Sequence, residues 1–340
     1  MKAAIFYGKE DIRIEDVEIP EIESNEVLIK VAYCGICGSD VTAFKTGNYV
    51  SGLIIGHEFS GIVEEVGVDV KRFRKGDRVT ANGYIPCGRC KYCLSGKPSL
   101  CDDLQMTGIT INGALAEYVK LPEHIVYKLP DQLSLLHATL VDPLSNVLHA
   151  VNLSGFKPGN SILIQGAGPI GLVTLEVLKR SGAGEIFITE ISEKRKILAM
   201  ELGADTVIDP TKENLPAIIE KETKGEGVDI VFDTTGAPST LEANFTLVKK
   251  GGEIIVIGIT EEPVMSDFFT LVVNELTIKG SYGGFNEYPK AIEWLANNHI
   301  TANKIITSII SLEDLLEKGF KVLIGPAKEG KVVVKLAGGE

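Results

Sequence analysis

Four of the chain's six cysteines crowd into one stretch, Cys87-Gly-Arg-Cys90-Lys-Tyr-Cys93 and then Cys101. Thiols gathered this way in a non-secreted chain hold a metal more often than they build disulfides. Four thiolates close a tetrahedral zinc site with Zn–S bonds of about 2.3 Å. A closed site leaves no open coordination position, so it braces a loop and does no chemistry. The competing reading is an exposed loop with adventitious thiols, and it leaves the spacing of the four sulfurs without a reason.

A second set of donors lies upstream. Cys34-Gly-Ile-Cys37-Gly-Ser39-Asp40 follows a strand-like run, and Gly56-His57-Glu58 comes shortly after. Cys34 and Cys37 have the spacing of a redox pair, but no thioredoxin-like βαβ pattern surrounds them. Cys37 and His57 together offer one sulfur and one nitrogen ligand. A catalytic zinc takes three protein ligands and keeps one position open. Asp142, in Leu140-Val-Asp142-Pro143, is a candidate for the third. On its own an Asp-Pro pair reads equally well as the start of a helix.

A third motif binds phosphate. The apolar run Ser161–Gln165 leads into Gly166-Ala-Gly168-Pro169-Ile170-Gly171 and then into a helical pattern. Gly166 allows the tight turn, Gly168 lets backbone approach a pyrophosphate, and Gly171 lets helix and strand pack closely. The helix start, with Pro169 and Ile170, presents free N–H groups to the phosphates. Glu190 ends the next strand-like run, about 20 residues past the glycines, where an acid holds the ribose hydroxyls. Its charge opposes a 2′-phosphate, which favours NAD over NADP. Arg195 could serve such a phosphate, although its plainer reading is the start of a solvated helix face.

The surrounding elements divide the chain. Up to about residue 150, short strand-like runs are punctuated by glycine turns: Lys2–Tyr7, Ile12–Ile19, Glu26–Cys34, Phe59–Val66, Asp77–Ala81 and Ala114–Leu121. Strands then alternate with helical runs, which predicts parallel βαβ units in a doubly wound sheet. After Gly284 come helical patterns at Tyr288–Asn297 and Leu312–Leu323 and a strand at Lys331–Leu336. That tail is too short to be a domain and is expected to return to the first unit. The expected division is therefore 1–150 with 286–340, and 151–285 as the cofactor unit. The net charge of −12 argues against nucleic acid or an anionic membrane as partner. No apolar run is long enough to span a bilayer. The first residues read as a strand and not as a signal peptide, so the expected compartment is the cytoplasm.

Taken together, Cys37-Gly-Ser39-Asp40, Gly56-His57-Glu58-x-x-Gly61, the four-cysteine lobe, Asp142-Pro143 and Gly166–Gly171 resemble the zinc-dependent medium-chain dehydrogenases over essentially the whole chain. The polyol and (R,R)-butanediol dehydrogenase branch is the nearest likeness. The resemblance implies an α/β chain with a GroES-like β-rich catalytic domain and an inserted Rossmann domain. It implies two zinc ions, NAD, and a homo-oligomer, tetramer or dimer. Cys37 and His57 match the family's zinc ligands, Asp142 the third ligand, and Glu58 the conditional ligand beside them. Asp40 matches the partner that orients His57. Ser39 matches the hydroxyl that takes the proton of an alcohol whose hydride passes to nicotinamide. Where relatives end the proton relay on a histidine this chain has Thr42, and it lacks the Arg-Tyr pair of polyol enzymes near Gly283-Gly284. Both departures favour a smaller secondary alcohol, a short vicinal diol or an altered mode of polyol binding.

Two other classes are open to such a chain. One is an inactive binding or structural protein on the same fold, since fold does not fix function. Retention of Cys37, Ser39, His57, Asp142 and the glycine loop weighs against it. The other is a zinc-ribbon nucleic-acid binder, opposed by the acidic charge and the lack of basic clustering.

Overall fold

The computed structural model describes residues 1–325 and 329–339. It folds as two units, one of residues 1–145, 285–298 and 302–340, the other of residues 146–284 and 299–301. The division falls inside the helix Val141–Leu153, a few residues before the composition changes at Ser154-Gly155. Among the described residues no helix is long and apolar enough to cross a membrane.

The first unit is built on a seven-stranded sheet. Its central strand, Glu26–Gly35, pairs antiparallel with Glu58–Val66, Tyr118–Pro122 and Lys331–Lys335. Buried almost throughout, it reads as a continuous apolar run instead of an alternating one. Val27, Ile29, Val31, Phe59, Val63, Leu121, Phe320 and Val332 form its core. Fully burying each such side chain contributes roughly 1.5–3 kcal/mol. The strand ends at Gly35, and the chain turns directly into the helix Gly38–Thr46, so Cys37 stands at a strand-to-helix corner. The strand Glu58–Val66 begins immediately after His57. The pairing of Gly35 with Glu58 brings these two corners together.

Some elements differ from the sequence expectation. The second strand covers Asp11–Asp16 and stops before Ile19. The run expected at Ala114–Leu121 is a strand only over Tyr118–Pro122. Its first part is spent elsewhere, because Ala114 and Leu115 donate to the carbonyls of Gly56 and Ile55. The helix expected at Leu312–Leu323 is a π-helical turn, Leu315–Phe320, followed by the short α-helix Lys321–Ile324. Gly319 lies in that turn against Ile36, whose Cδ1 would be 2.8 Å from any Cβ placed there.

The second unit is a six-stranded, wholly parallel sheet. Its order is Thr206–Ile208, Ile186–Thr189, Ile162–Gln165, Val228–Asp233, Val248–Val256, Thr277–Gly280. In chain order this is 3-2-1-4-5-6, the doubly wound arrangement. The order reverses between Ile162–Gln165 and Val228–Asp233, and a crevice opens outside the carboxyl ends of strands at such a switch point. The glycine loop follows the first of these two strands.

Candidate metal and cofactor sites

The four-cysteine lobe is held by local turns. The helix Lys91–Leu94 takes Cys90 as its N-cap, and the 3₁₀ turn Pro98–Leu100 delivers Cys101. All four sulfurs lie within 4.8 Å of one another. Cys90 Sγ is 3.5 Å from Cys93 Sγ and 3.9 Å from Cys101 Sγ. A tetrahedron with Zn–S bonds of about 2.3 Å has edges of about 3.8 Å. None of the cysteines is in a disulfide. Backbone N–H groups of Cys87 and Asp103 point at Cys101 Sγ, at 3.3 and 3.4 Å. The N–H groups of Cys93 and Asp102 pull the Cys90 thiol down to about 6, while partial burial and the neighbouring thiols push Cys93 up to about 12. Four crowded sulfurs cannot all ionise without a cation among them, and the donor set fits zinc.

The second cluster lies in the same unit. Cys37, His57 and Glu58 each bring a ligand atom within 4.8 Å of the others. His57 and Glu58 are buried, and Cys37 is half-buried. Asp40, fully buried, accepts the backbone N–H of Cys37 at 3.0 Å, and its other oxygen lies 3.9 Å from His57 Nδ1. Neither that oxygen nor His57 Nδ1 has a hydrogen-bond partner among the described residues. Burial by itself would lower the imidazole's pKa. The negative groups Cys37, Asp40 and Asp142 outweigh it and hold His57 well above the ordinary histidine range. An enclosed set of donors that demands a positive charge fits a divalent cation.

Asp142 stands in the first turn of the helix Val141–Leu153 and is buried. It faces the same place: a Cβ built on Gly83 would lie 3.4 Å from His57 Cβ and 3.9 Å from Asp142 Oδ1. Asp142 is outside the tight trio, whereas Glu58 is inside it. Glu58, however, is ion-paired through Oε2 with Lys331. Ser39 follows Cys37 on the helix Gly38–Thr46 and is half-buried, while Thr42 is exposed. Cys34 is fully buried, its sulfur facing Gly56, and burial drives its thiol well above the usual range. It is a packed thiol and takes no part in the cluster.

The glycine loop has the geometry that its residue types require. Gly166 has φ of +89°, and a Cβ there would meet Thr235 Cγ2 at 2.6 Å. A Cβ on Gly171 would collide with the carbonyl of Gly166. A Cβ on Gly168 would make only an ordinary contact, 3.6 Å from the Arg195 guanidinium. Gly168 caps the helix Pro169–Arg180, with Pro169 at its start and Ile170 half-buried beside it. Glu190 is buried and accepts from the N–H groups of Ala167, Ile191 and Ser192 at 3.1, 2.8 and 2.9 Å. The solvated reading of Arg195 does not hold. Its side chain is only 12% exposed and lies 3.9 Å from Glu190 Oε2.

Comparison with known proteins bears on the whole chain. Residues 23–131 match the family model of the alcohol dehydrogenase GroES-like domain, and residues 169–297 that of zinc-binding dehydrogenase. Sorbitol dehydrogenase of Bacillus subtilis strain 168 is 35% identical over 94% of this chain and 94% of its own. The chain belongs to the zinc-dependent alcohol dehydrogenase family. The crystal structure of 2R,3R-butanediol dehydrogenase from Bacillus subtilis superposes with a TM-score of 0.90, at 35% identity over 98% of this chain and 99% of that one. A zinc-binding dehydrogenase from Sinorhizobium meliloti 1021, solved bound to NADP, gives a TM-score of 0.90 at 32% identity, covering 98% of both chains. These relatives place the chain in the polyol and butanediol branch of the zinc dehydrogenases.

For this dehydrogenase three residues near the cluster escape the sequence reading. Lys331 is buried and pairs with Glu58. Tyr288, fully buried, donates to the carbonyl of Ala81 at 2.6 Å and lies in the field of Asp142. Tyr49 lies beside Ser39 and Asp40, and burial, with the charge of Asp40, pushes its phenol above the usual tyrosine range. A lysine at the head of the apolar run in Lys331–Lys335 gives no sign of being buried, and Tyr49 and Tyr288 carry no local signal either.

Proposed function

We propose that this enzyme oxidises a secondary alcohol or short vicinal diol with NAD, and reduces the matching ketone in reverse. The single observation that carries this reading is the buried Cys37, His57 and Glu58 trio with Asp142 beside it. Cys37, His57 and Asp142 would hold the zinc, and Glu58 stands next to it. The ion, when bound, supplies a Lewis acid that lowers the pKa of an alcohol oxygen. Asp40 holds the Cys37 corner and faces His57 Nδ1 at 3.9 Å, where its charge favours an imidazole with Nδ1 turned towards it. Ser39 is the hydroxyl that would take the alcohol's proton, and nicotinamide, when bound, would supply the hydride acceptor. Exposed Thr42 offers the Ser39 proton a route to water in place of the relatives' histidine. Cys87, Cys90, Cys93 and Cys101 would hold a second, purely structural zinc.

Gly166, Gly168, Pro169, Ile170 and Gly171 seat the pyrophosphate of NAD. Glu190 retains lone pairs for the ribose hydroxyls, and its charge repels a 2′-phosphate. Arg195, drawn to Glu190, is an accessory to this pocket and not a phosphate ligand.

The enzyme is read as a cytoplasmic homo-oligomer. The strand Thr277–Gly280 is a sheet edge, and Phe268, Phe269 and Val272 on the helix before it are more than two-thirds exposed. An exposed apolar helix beside an open edge suits burial against a second copy. Light scattering of the purified enzyme measures this, and cell fractionation measures the compartment.

The experiment for the activity is zinc analysis with NAD and NADP reduction over stereoisomers of butanediol, sorbitol and simple secondary alcohols. Two zincs and turnover of a small diol support the proposal. A zinc-loaded protein that reduces neither cofactor with any alcohol would make it an inactive member of the fold.

A further inference from the structure

Three neighbouring strands of the parallel sheet each end on a polar residue that water does not reach. Thr189, Gln165 and Asp233 close the strands Ile186–Thr189, Ile162–Gln165 and Val228–Asp233, and Gln165 is in register with both of the others. Each is at most 2% exposed. Asn244, on the helix Pro238–Leu247, is wholly buried and joins them. Asn244 Nδ2 donates to Asp233 Oδ2 at 2.9 Å, and Gln165 Nε2 donates to Asn244 Oδ1 at 3.0 Å. Thr189 Oγ1 donates to Gln165 Oε1 at 2.7 Å. The same hydroxyl accepts the N–H of Gly166 at 3.2 Å, sharing it with the Thr189 carbonyl. At the other end Asp233 Oδ1 accepts the N–H groups of Thr235 and Gly236 and the Thr235 hydroxyl, each at 3.0 Å.

A carboxylate only accepts, so the charge on Asp233 sets the direction of every bond in this chain. Asn244 must present its amide N–H to Asp233, which leaves its oxygen for Gln165, whose own oxygen is then left for Thr189. An apolar interior of the same shape would hold the strands about as well. What the polar chain adds lies at its two ends, and both ends are loops of the crevice at the switch point. One is the glycine loop. The other is the turn 234–236, which follows the first strand of the second nucleotide-binding half. The two loops also touch. Thr234 Oγ1 donates to the carbonyl of Gln165 at 2.8 Å, and a Cβ on Gly166 would meet Thr235 Cγ2 at 2.6 Å. We propose that Asn244 is a positioning residue for the dinucleotide, holding the glycine loop and the turn 234–236 in one fixed relation so that NAD meets a preformed crevice. The inference rests on the NAD reading above and deepens it. Preorganisation of this kind raises affinity for a ligand that spans both loops and does little for one that occupies a single half.

The test measures binding of NAD and of 5′-AMP by titration calorimetry in the full-length protein, with thermal midpoints as the control for folding. Asn244→Asp sets two carboxylates against each other. NAD should then bind at least about 10-fold more weakly, while 5′-AMP, which needs only the Glu190 half, stays within about twofold of wild type. Adding Asp233→Asn restores a donor opposite the new carboxylate, and NAD affinity should return to within about threefold of wild type. Gln165→Met cuts the same chain without adding a charge and gives the reading should Asn244→Asp fail to fold. It should weaken NAD by about 10-fold and leave 5′-AMP within about twofold. Equal loss of NAD and 5′-AMP affinity would show a purely structural network and overturn the proposal. Undiminished NAD binding in Asn244→Asp or Gln165→Met, or a double variant no tighter than Asn244→Asp, would overturn it as well. A wild type that binds neither NAD nor 5′-AMP would instead overturn the cofactor reading and this inference with it.

Discussion

Glu190 accepts the backbone N–H of Ala167 at 3.1 Å, so the acid at the end of one strand is tied to the glycine loop at the end of its neighbour. The same carboxylate takes the N–H groups of Ile191 and Ser192. The side chain proposed to hold the ribose therefore also holds the loop.

Replacement of that side chain should be felt mainly with NAD. Glu190→Ser should lower kcat/KM for NAD by about 10–100-fold, the loss of one or two charge-assisted hydrogen bonds. The value for NADP should change much less. Steady-state kinetics with both cofactors measures the ratio, and a wild type that prefers NADP would reassign Arg195 as a phosphate ligand.

The two zinc sites should separate by mutation. Cys93→Ser should leave one zinc per chain, retain measurable turnover and lower the thermal midpoint by about 5 °C or more. Cys37→Ser should also leave one zinc but abolish turnover. Metal analysis, calorimetry and NADH absorbance distinguish them, and equal loss of activity in both would end the division into structural and catalytic ions.

Asp142→Ala should lose the labile zinc, or more than about 100-fold in kcat, while NAD affinity measured by fluorescence stays within about twofold of wild type. An active, fully zinc-loaded Asp142→Ala enzyme would show that the other carboxylate is the ligand.

Cys34→Ala should keep both zincs. The sulfur is buried against Gly56 and outside the cluster, so its removal leaves only a small cavity. A stability loss of about 1–2 kcal/mol in urea titration is expected.

Asp209 supplies a pH dependence. The hydroxyl of Thr211 donates to it at 2.6 Å and Lys196 at 3.0 Å, and these partners hold its carboxyl below the usual range. A depressed folded pKa means stability that is fully present above the unfolded value, about 4, and lost as pH falls towards the folded one. The urea midpoints of wild type and Asp209→Asn should differ at pH 7 and converge progressively below about pH 4. A gap that stays constant down to pH 2 would exclude this origin.

Local chemistry was legible in the chain itself. The cysteine lobe closes through short turns within Cys87–Cys101, and the glycine loop is one strand-to-helix turn, so spacing already specifies each of them. Strand and helix alternation also carried the parallel sheet, because each period reports burial of one face. What the sequence left open lies between residues far apart. Ile36 and Lys331 are separated by 295 positions, and Ala81 and Tyr288 by 207. Their meeting depends on the returning strand Lys331–Lys335 pairing with the central strand, and on the segment 285–298 rejoining the first unit. No local pattern encodes such pairings. The sequence offers Asp142 as the third ligand and Glu58 as the conditional one, and only the tertiary structure places the buried Lys331 against Glu58. The cost of desolvating a lone ammonium is the physical reason that lysine is buried only with an acid beside it.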